Sequence, residues 1–336
     1  MKKYDIINYL KGFSIFTIVL MHSMQGYLDG IWDKAISIGG TGAHVFIFCS
    51  GFGLCLSYLN KPESYIVFLK KRLSKVYFPY IIVIVLFSLW RLYTVGSINW
   101  NEVASHIFLY KMFDNNLDIS ICYHFWFIST IIQFYIFFPF IIKFLRIGQW
   151  GIIAALGISI TWSSIVAILN YGDYRPWGSF FLQYLWEFVL GMWIAEKIKY
   201  NNIDDKFIIK KLKVKYLVGC IIIGMSLNGI MGWYGGILKL YNDIPSMLGY
   251  ISILLLIYKL NITWITKFFV FTNKISYEWY LIHGLTFIIV HKYLNSIIPS
   301  WLVIVTCLIS SYFLAWLFSK SYRRVNAFCL SIRYTE

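Results

Sequence analysis

Lys11 and His22 lie eleven residues apart in a stretch free of proline. On an α-helix that spacing returns both to one face, about 16 Å apart along the axis. An ammonium at one end of such a face can hold a phosphate, and an imidazole at the other can take a proton near neutral pH. A topology anchor and a packing histidine are the plainer roles for the same pair. A second basic group, Lys70-Lys71-Arg72 with Lys75, precedes Pro79. Arg72 and Lys75 are i and i+3, hence neighbours on a helix face. Paired cations there can grip a diphosphate or simply snorkel toward water. Of the other histidines, His44 and His124 open apolar runs, His106 falls in a polar connection, and His283 and His291 share one run, His283 at its middle. An ionisable group at such depth is costly and is a functional candidate by default. Glu187 is the single acid placed inside an apolar run; it needs a cation, a proton or a hydrogen-bond partner there, and either orients a histidine or tethers two helices. No His-x(3)-His or Cys-x-x-Cys spacing occurs, so no metal is expected, and the six cysteines read as small apolar residues.

The scaffold that must position these groups is mostly apolar. Hydrophobic residues make up 59% of the 336 and charged residues 13%, where a soluble domain carries about 25% charged. Mean hydropathy is +0.67. Such a chain has too little polar surface to cover a soluble core and is too apolar for disorder. Runs long enough to cross a bilayer, roughly 20 residues each, fall at about 10–28, 38–58, 76–95, 122–142, 150–169, 178–196, 214–234, 244–260, 275–293 and 300–319. The prolines fall near the ends of these runs or between them. The expectation is an all-α polytopic membrane protein with about ten transmembrane helices and both termini cytosolic. With the N-terminus inside, only Lys34, Arg91, Lys111, Arg175, Lys239 and Lys292 of the 30 basic residues fall outside. That is the positive-inside pattern. It assigns the net charge of +15 to one membrane face, so the lipid bilayer rather than nucleic acid is the expected partner. The outer connection at about 96–121 carries Glu102, Asp114 and Asp118 and is expected to shape an entrance. Lys2 and Lys3 precede the first run with no small-residue cleavage site after it, which reads as an uncleaved helix.

Several segments together resemble acyltransferase family 3, integral membrane enzymes that acylate surface carbohydrates. Lys11 to His22 is similar to the family's basic residue, ten residues, then histidine. Gly42-Ala43-His44-Val45-Phe46 through Ser50-Gly51-Phe52 resembles its Gly-Val-x-x-Phe-Phe-x-x-Ser-Gly-Phe stretch. Phe68-Leu69-Lys70-Lys71-Arg72-Leu73-Ser74-Lys75 with Pro79 resembles its inner basic motif. His124-Phe125-Trp126 through Phe134-Tyr135 and Pro139, and Ser276 with Tyr280-Leu281-Ile282-His283, complete the series. No single motif is specific; five in order, on the expected helices, are much more so. The chain departs from the pattern at Lys11, where arginine is common, at His44, where an aspartate is frequent, and at Lys75, which lacks a guanidinium's fork geometry. Ile131 and Ile132 stand where many members have paired glutamates.

The resemblance implies one membrane-embedded acyltransferase domain over residues 1–336, with a helical bundle at about 8–320, a short basic cytosolic tail at 321–336 and no appended esterase-like domain. It implies an O-acyltransferase of the bacterial cytoplasmic membrane that moves acetyl from cytosolic acetyl-CoA, as cosubstrate, to a hydroxyl of an extracytoplasmic polysaccharide or cell-wall glycan. Lys11, Arg72 and Lys75 would hold the CoA phosphates. His22 would serve as general base or transient acyl carrier, with His283 and Glu187 as further catalytic candidates for orientation or proton handling. A transporter or flippase of lipid-linked sugars is the alternative. It calls for matched, broken spans in two halves, and no such internal symmetry is visible in the sequence.

Overall fold

Inside a bilayer the backbone has no water to bond with, so long apolar runs close their hydrogen bonds internally as helices. The computed structural model describes residues 4–333 apart from 115, 118, 119 and 173. Lys2, Lys3 and Asp118, each placed on a membrane side by the charge pattern, lie outside the described residues, as do the ends of the expected domain and tail. Every element among the described residues is helical. Ten long helices overlap the ten expected runs: α1 (Asp5–Met24), α2 (Gly42–Asn60), α3 (Tyr65–Val95), α4 (Trp126–Ile141), α5 (Gln149–Ile168), α6 (Leu185–Tyr200), α7 (Val214–Tyr234), α8 (Asp243–Lys259), α9 (Ser276–Leu294) and α10 (Ser300–Arg333).

Seven of the helical segments among the described residues are long and apolar enough to cross a membrane. This is a multi-pass membrane protein. The three that do not qualify are α6, α8 and α9, of 16, 17 and 19 residues. The first two fall short in length and the third in apolarity; they carry Glu187, Asp243 and His283, of which Glu187 and His283 are buried against other helices. Helices α10 and α3 depart most from their expected bounds: α10 runs on to Arg333, past the expected end at 319. Helix α3 begins at Tyr65, about three turns early, and takes Pro79 into its interior. Long cationic side chains at Lys70, Lys71 and Lys75 let that extension run on into a polar environment.

The centre of the bundle is the pairing of α2 with α6. A Cβ at Gly51 would run into the Phe188 carbonyl, and one at Gly191 into the Phe48 carbonyl. These two glycines let the backbones touch, as small residues do in membrane bundles. Helix α1 lies against α2, α9 and the short helix Thr263–Thr272. Its first turn is capped from the 197–213 connection: the Asp205 carboxylate accepts from Asp5 N at 2.7 Å and Ile6 N at 3.3 Å. The 96–121 connection forms the helix Trp100–Ile107, capped by Asn99 and pinned to α3 by the Arg91–Glu102 ion pair. It is not simply an entrance, because it buries His106, Lys111, Met112 and Leu117.

Candidate active site

Three helices bring three imidazoles together. His22 stands near the end of α1, His124 in the turn that leads into α4, and His283 midway along α9. The His283 ring stacks on His22 with centroids 5.4 Å apart and planes 11° from parallel. It also meets His124, at 4.2 Å. The third pair, His22 and His124, is 6.0 Å apart. His283 is 1% and His124 4% exposed, while His22 is half-buried.

Local bonds fix each ring. His283 Nδ1 lies 3.0 Å from the Trp279 carbonyl one turn earlier; a carbonyl only accepts, so Nδ1 carries the hydrogen. His22 Nδ1 is held by the Tyr123 hydroxyl and, at 3.0 Å, by Gln25 Oε1. The backbone carbonyl of His124 accepts from the Tyr280 hydroxyl. Among the described residues, the Nε2 atoms of His124 and His283 are buried with no hydrogen-bond partner. Buried polar nitrogens are rarely left so, which makes these two rings a candidate site. Gly284 makes the contact possible: a Cβ there would strike the His124 ring, with Cys122 Sγ 3.0 Å away.

A second feature lies toward the other end of α3. A cleft of about 420 Å³ is lined by Lys61, Lys71, Arg72, Lys75, Lys143 and Arg146, by the single acid Glu63, and by the aromatic side chains of Tyr58, Tyr65, Phe68 and Phe138. Phe68 stacks on Phe138 at 4.9 Å, and the Arg72 guanidinium sits 5.7 Å from the Phe68 ring centre. Glu63 pairs with Lys71, whose hydrogen bond holds the carboxyl below its ordinary range. One face of α9 joins the cleft to the histidines. The Tyr277 hydroxyl donates to the Val76 carbonyl at 2.5 Å, next to Lys75. Tyr277 stacks on Tyr280 at 6.5 Å, and Tyr280 meets His283 at 6.0 Å. Residues 277, 280 and 283 are i, i+3 and i+6, so they form one ridge about 9 Å long.

The expected site residues divide accordingly. His22 and His283 come together. Arg72 and Lys75 share the cleft, but Lys11 is not among its lining residues; it lies on α1 close enough to the Cys49 thiol to act on it electrostatically. Glu187 is paired with His44, not with the three histidines: its Oε1 is 2.6 Å from His44 Nδ1, and among the described residues its Oε2 has no hydrogen-bond partner. Asp243 Oδ1 is 3.6 Å from His44 Nε2, and Asp243 Oδ2 accepts from Gln183 at 2.8 Å. His44, Glu187 and Asp243 are the group among the described residues whose donor atoms are close enough to share a metal ion. Bonds to one another and to Gln183 already occupy several of those donors, as in an ion-pair tether of α2, α6 and α8. Sequence patterns alone did not mark His124 as a site residue, or Lys143 and Arg146 as cleft residues. His124 belongs to the His-Phe-Trp segment of the family pattern; the two cations blend into the charge pattern of an inner connection.

The arrangement is a cleft lined by cations and joined by an aromatic ridge to a cluster of imidazole rings. Among known proteins, no curated protein and no solved structure matches the chain. The family model described as an acyltransferase domain matches residues 4–320, nearly the whole length. The chain belongs to acyltransferase family 3.

Proposed function

We propose that this membrane acyltransferase moves acetyl from acetyl-CoA to a hydroxyl of an extracytoplasmic polysaccharide or cell-wall glycan. In this reading ten helices cross the bacterial cytoplasmic membrane, both termini are cytosolic, and the basic cleft faces the cytosol. The observation that carries it is the ridge Tyr277–Tyr280–His283, which links six cations at one end to three imidazoles at the other. Acetyl-CoA has the same layout: a polyanionic head, a long neutral arm and a thioester at the tip. Arg72, Lys75 and their neighbours hold the phosphates, and Lys11 adds a cation on α1. The arm follows the ridge. A ring of the cluster, His22 first, takes the proton of the acceptor hydroxyl as its oxygen attacks the thioester carbonyl. The carbon–sulfur bond breaks, and the departing thiolate receives that proton. His283, fixed by its Nδ1 bond to the Trp279 carbonyl, stacks on His22 and orients that ring.

The test uses purified protein in nanodiscs. Acetyl-CoA binding should weaken in Arg72→Ala and in Lys11→Ala. His22→Ala should abolish transfer and keep binding. Normal transfer by His22→Ala removes the base. A wild-type protein that binds no acyl-CoA at all favours the transport reading instead.

A further inference from the structure

We propose that Lys111 is a positioning residue for His124, acting through a strained turn that it clamps from both sides. The inference builds on the reading of the three histidines as the reacting site. Lys111 is one of the few cations the charge pattern leaves on the outer side, and it is 3% exposed. Burying an ammonium among apolar neighbours is expensive unless its protons are bonded. Its Nζ donates to the Ser120 carbonyl at 2.9 Å and to the Cys122 carbonyl at 2.9 Å. Those two carbonyls flank Ile121, whose φ is 60°. That left-handed conformation suits glycine and is an outlier for a β-branched residue. Cys122 N donates back to Ser120 O at 2.7 Å, closing a three-residue turn of the rare, strained γ type. His106 adds a second hold: its Nε2 is 3.2 Å from the same Ser120 carbonyl, and its Nδ1 faces the Tyr80 hydroxyl at 2.5 Å.

The turn aims the chain from Cys122 to His124. Cys122 and the His124 ring both press on Gly284, and the His124 carbonyl is taken by Tyr280. A relaxed Ile121 would swing this entry and withdraw His124 from His283. Strain of this kind persists only where the surroundings over-determine it, and Lys111 supplies that constraint.

The experiment compares Lys111→Met, Ile121→Gly, Ile121→Ala and the two double variants in full-length protein in nanodiscs. Carbethoxylation of His124 by diethyl pyrocarbonate is mapped by mass spectrometry, beside the kinetics of acyl transfer. His124 should be modified about tenfold faster in Lys111→Met, with kcat lowered and the KM for acetyl-CoA unchanged. Adding Ile121→Gly should restore protection and kcat, because glycine holds this φ without a clamp; adding Ile121→Ala should not. If Lys111→Met fails to fold, the single variants still decide: Ile121→Gly should have a higher Tm than Ile121→Ala. Unchanged His124 protection in Lys111→Met, equal rescue by alanine, or a higher Tm for Ile121→Ala overturns the proposal. The labelling results as expected, without acyl transfer by wild type, keep the positioning role and remove the acyltransfer chemistry.

Discussion

The histidine cluster and the basic cleft are built on opposite principles. The cluster is buried, draws on three separate stretches of chain, and holds its rings by bonds at Nδ1 or the backbone. The cleft is open and lined by long side chains from the start of α3 and the segment after α4. Changing bonds requires reacting atoms to be held in place, because small displacements cost large factors in rate. Holding a polyanion requires charge, which falls off slowly with distance and tolerates motion. One end of the molecule is therefore rigid and the other is adaptable, and substitutions should divide along that line.

The sharpest break is His22→Ala, which should lower kcat by about 10²–10⁴-fold, the range of a general base, with the acetyl-CoA Kd unmoved in a binding titration. Gly284→Ala comes next. One methyl pressed into the His124 ring should lower kcat by roughly tenfold to a hundredfold, whereas a methyl's worth of change in the cleft should pass unnoticed. Arg72→Ala should instead raise the donor Kd by about fivefold to tenfold and leave kcat alone, with the effect shrinking as salt is added. Removing the cleft's own acid, as Glu63→Gln, should tighten donor binding by about twofold in the same titration.

A pH dependence of stability, read in Tm and not in rate or affinity, is confined to the rigid end. Burial, with the charge of Lys111 second, pushes His106 down to about 3. The unfolded value is about 6.5, so as pH falls the unfolded chain takes up the proton first. The neutral ring's contribution to stability is fully present above about 6.5 and is lost progressively toward about 3, at up to ~1.4 kcal/mol per pH unit. Tm should fall as the pH is lowered from neutral through this window, and His106→Gln should flatten part of that slope. A slope that His106→Gln leaves untouched assigns the acid sensitivity to other groups.

The helices were legible because their signal is local: apolar runs, loop charge and proline position each read directly from short windows. Seven of the ten runs meet the demand for a bilayer-crossing helix; of the other three, α6 and α8 are too short, at 16 and 17 residues, and α9, at 19, is long enough but not apolar enough. The site was legible in part. Arg72 and Lys75, neighbours by helical spacing, do share the cleft, whereas Lys11, paired with His22 by the same kind of reasoning, is not among its lining residues. His124 gives no such signal, because its role depends on lying opposite Gly284, which is distant in sequence. Glu187 shows the limit from the other side. Its depth correctly required a partner, but periodicity on one helix says nothing about which histidine on another will meet it, and the partner is His44. Lys111 reads in the sequence only as one of the few outer charges, since backbone φ at Ile121 leaves no mark in the side-chain pattern.

The length of α3 carries one more consequence. Its 31 residues extend about 46 Å, against about 30 Å of hydrocarbon in a bilayer. Tilting absorbs part of this hydrophobic mismatch, and the remainder belongs to the end that bears Lys70, Lys71 and Arg72. In the proposed orientation the cleft would ride at the plane of the lipid headgroups, inside the negative surface potential of an anionic leaflet. Lipid phosphates there compete for the same cations as the proposed donor. Membrane composition becomes a setting of the enzyme, with acidic lipid raising the donor concentration needed to fill it.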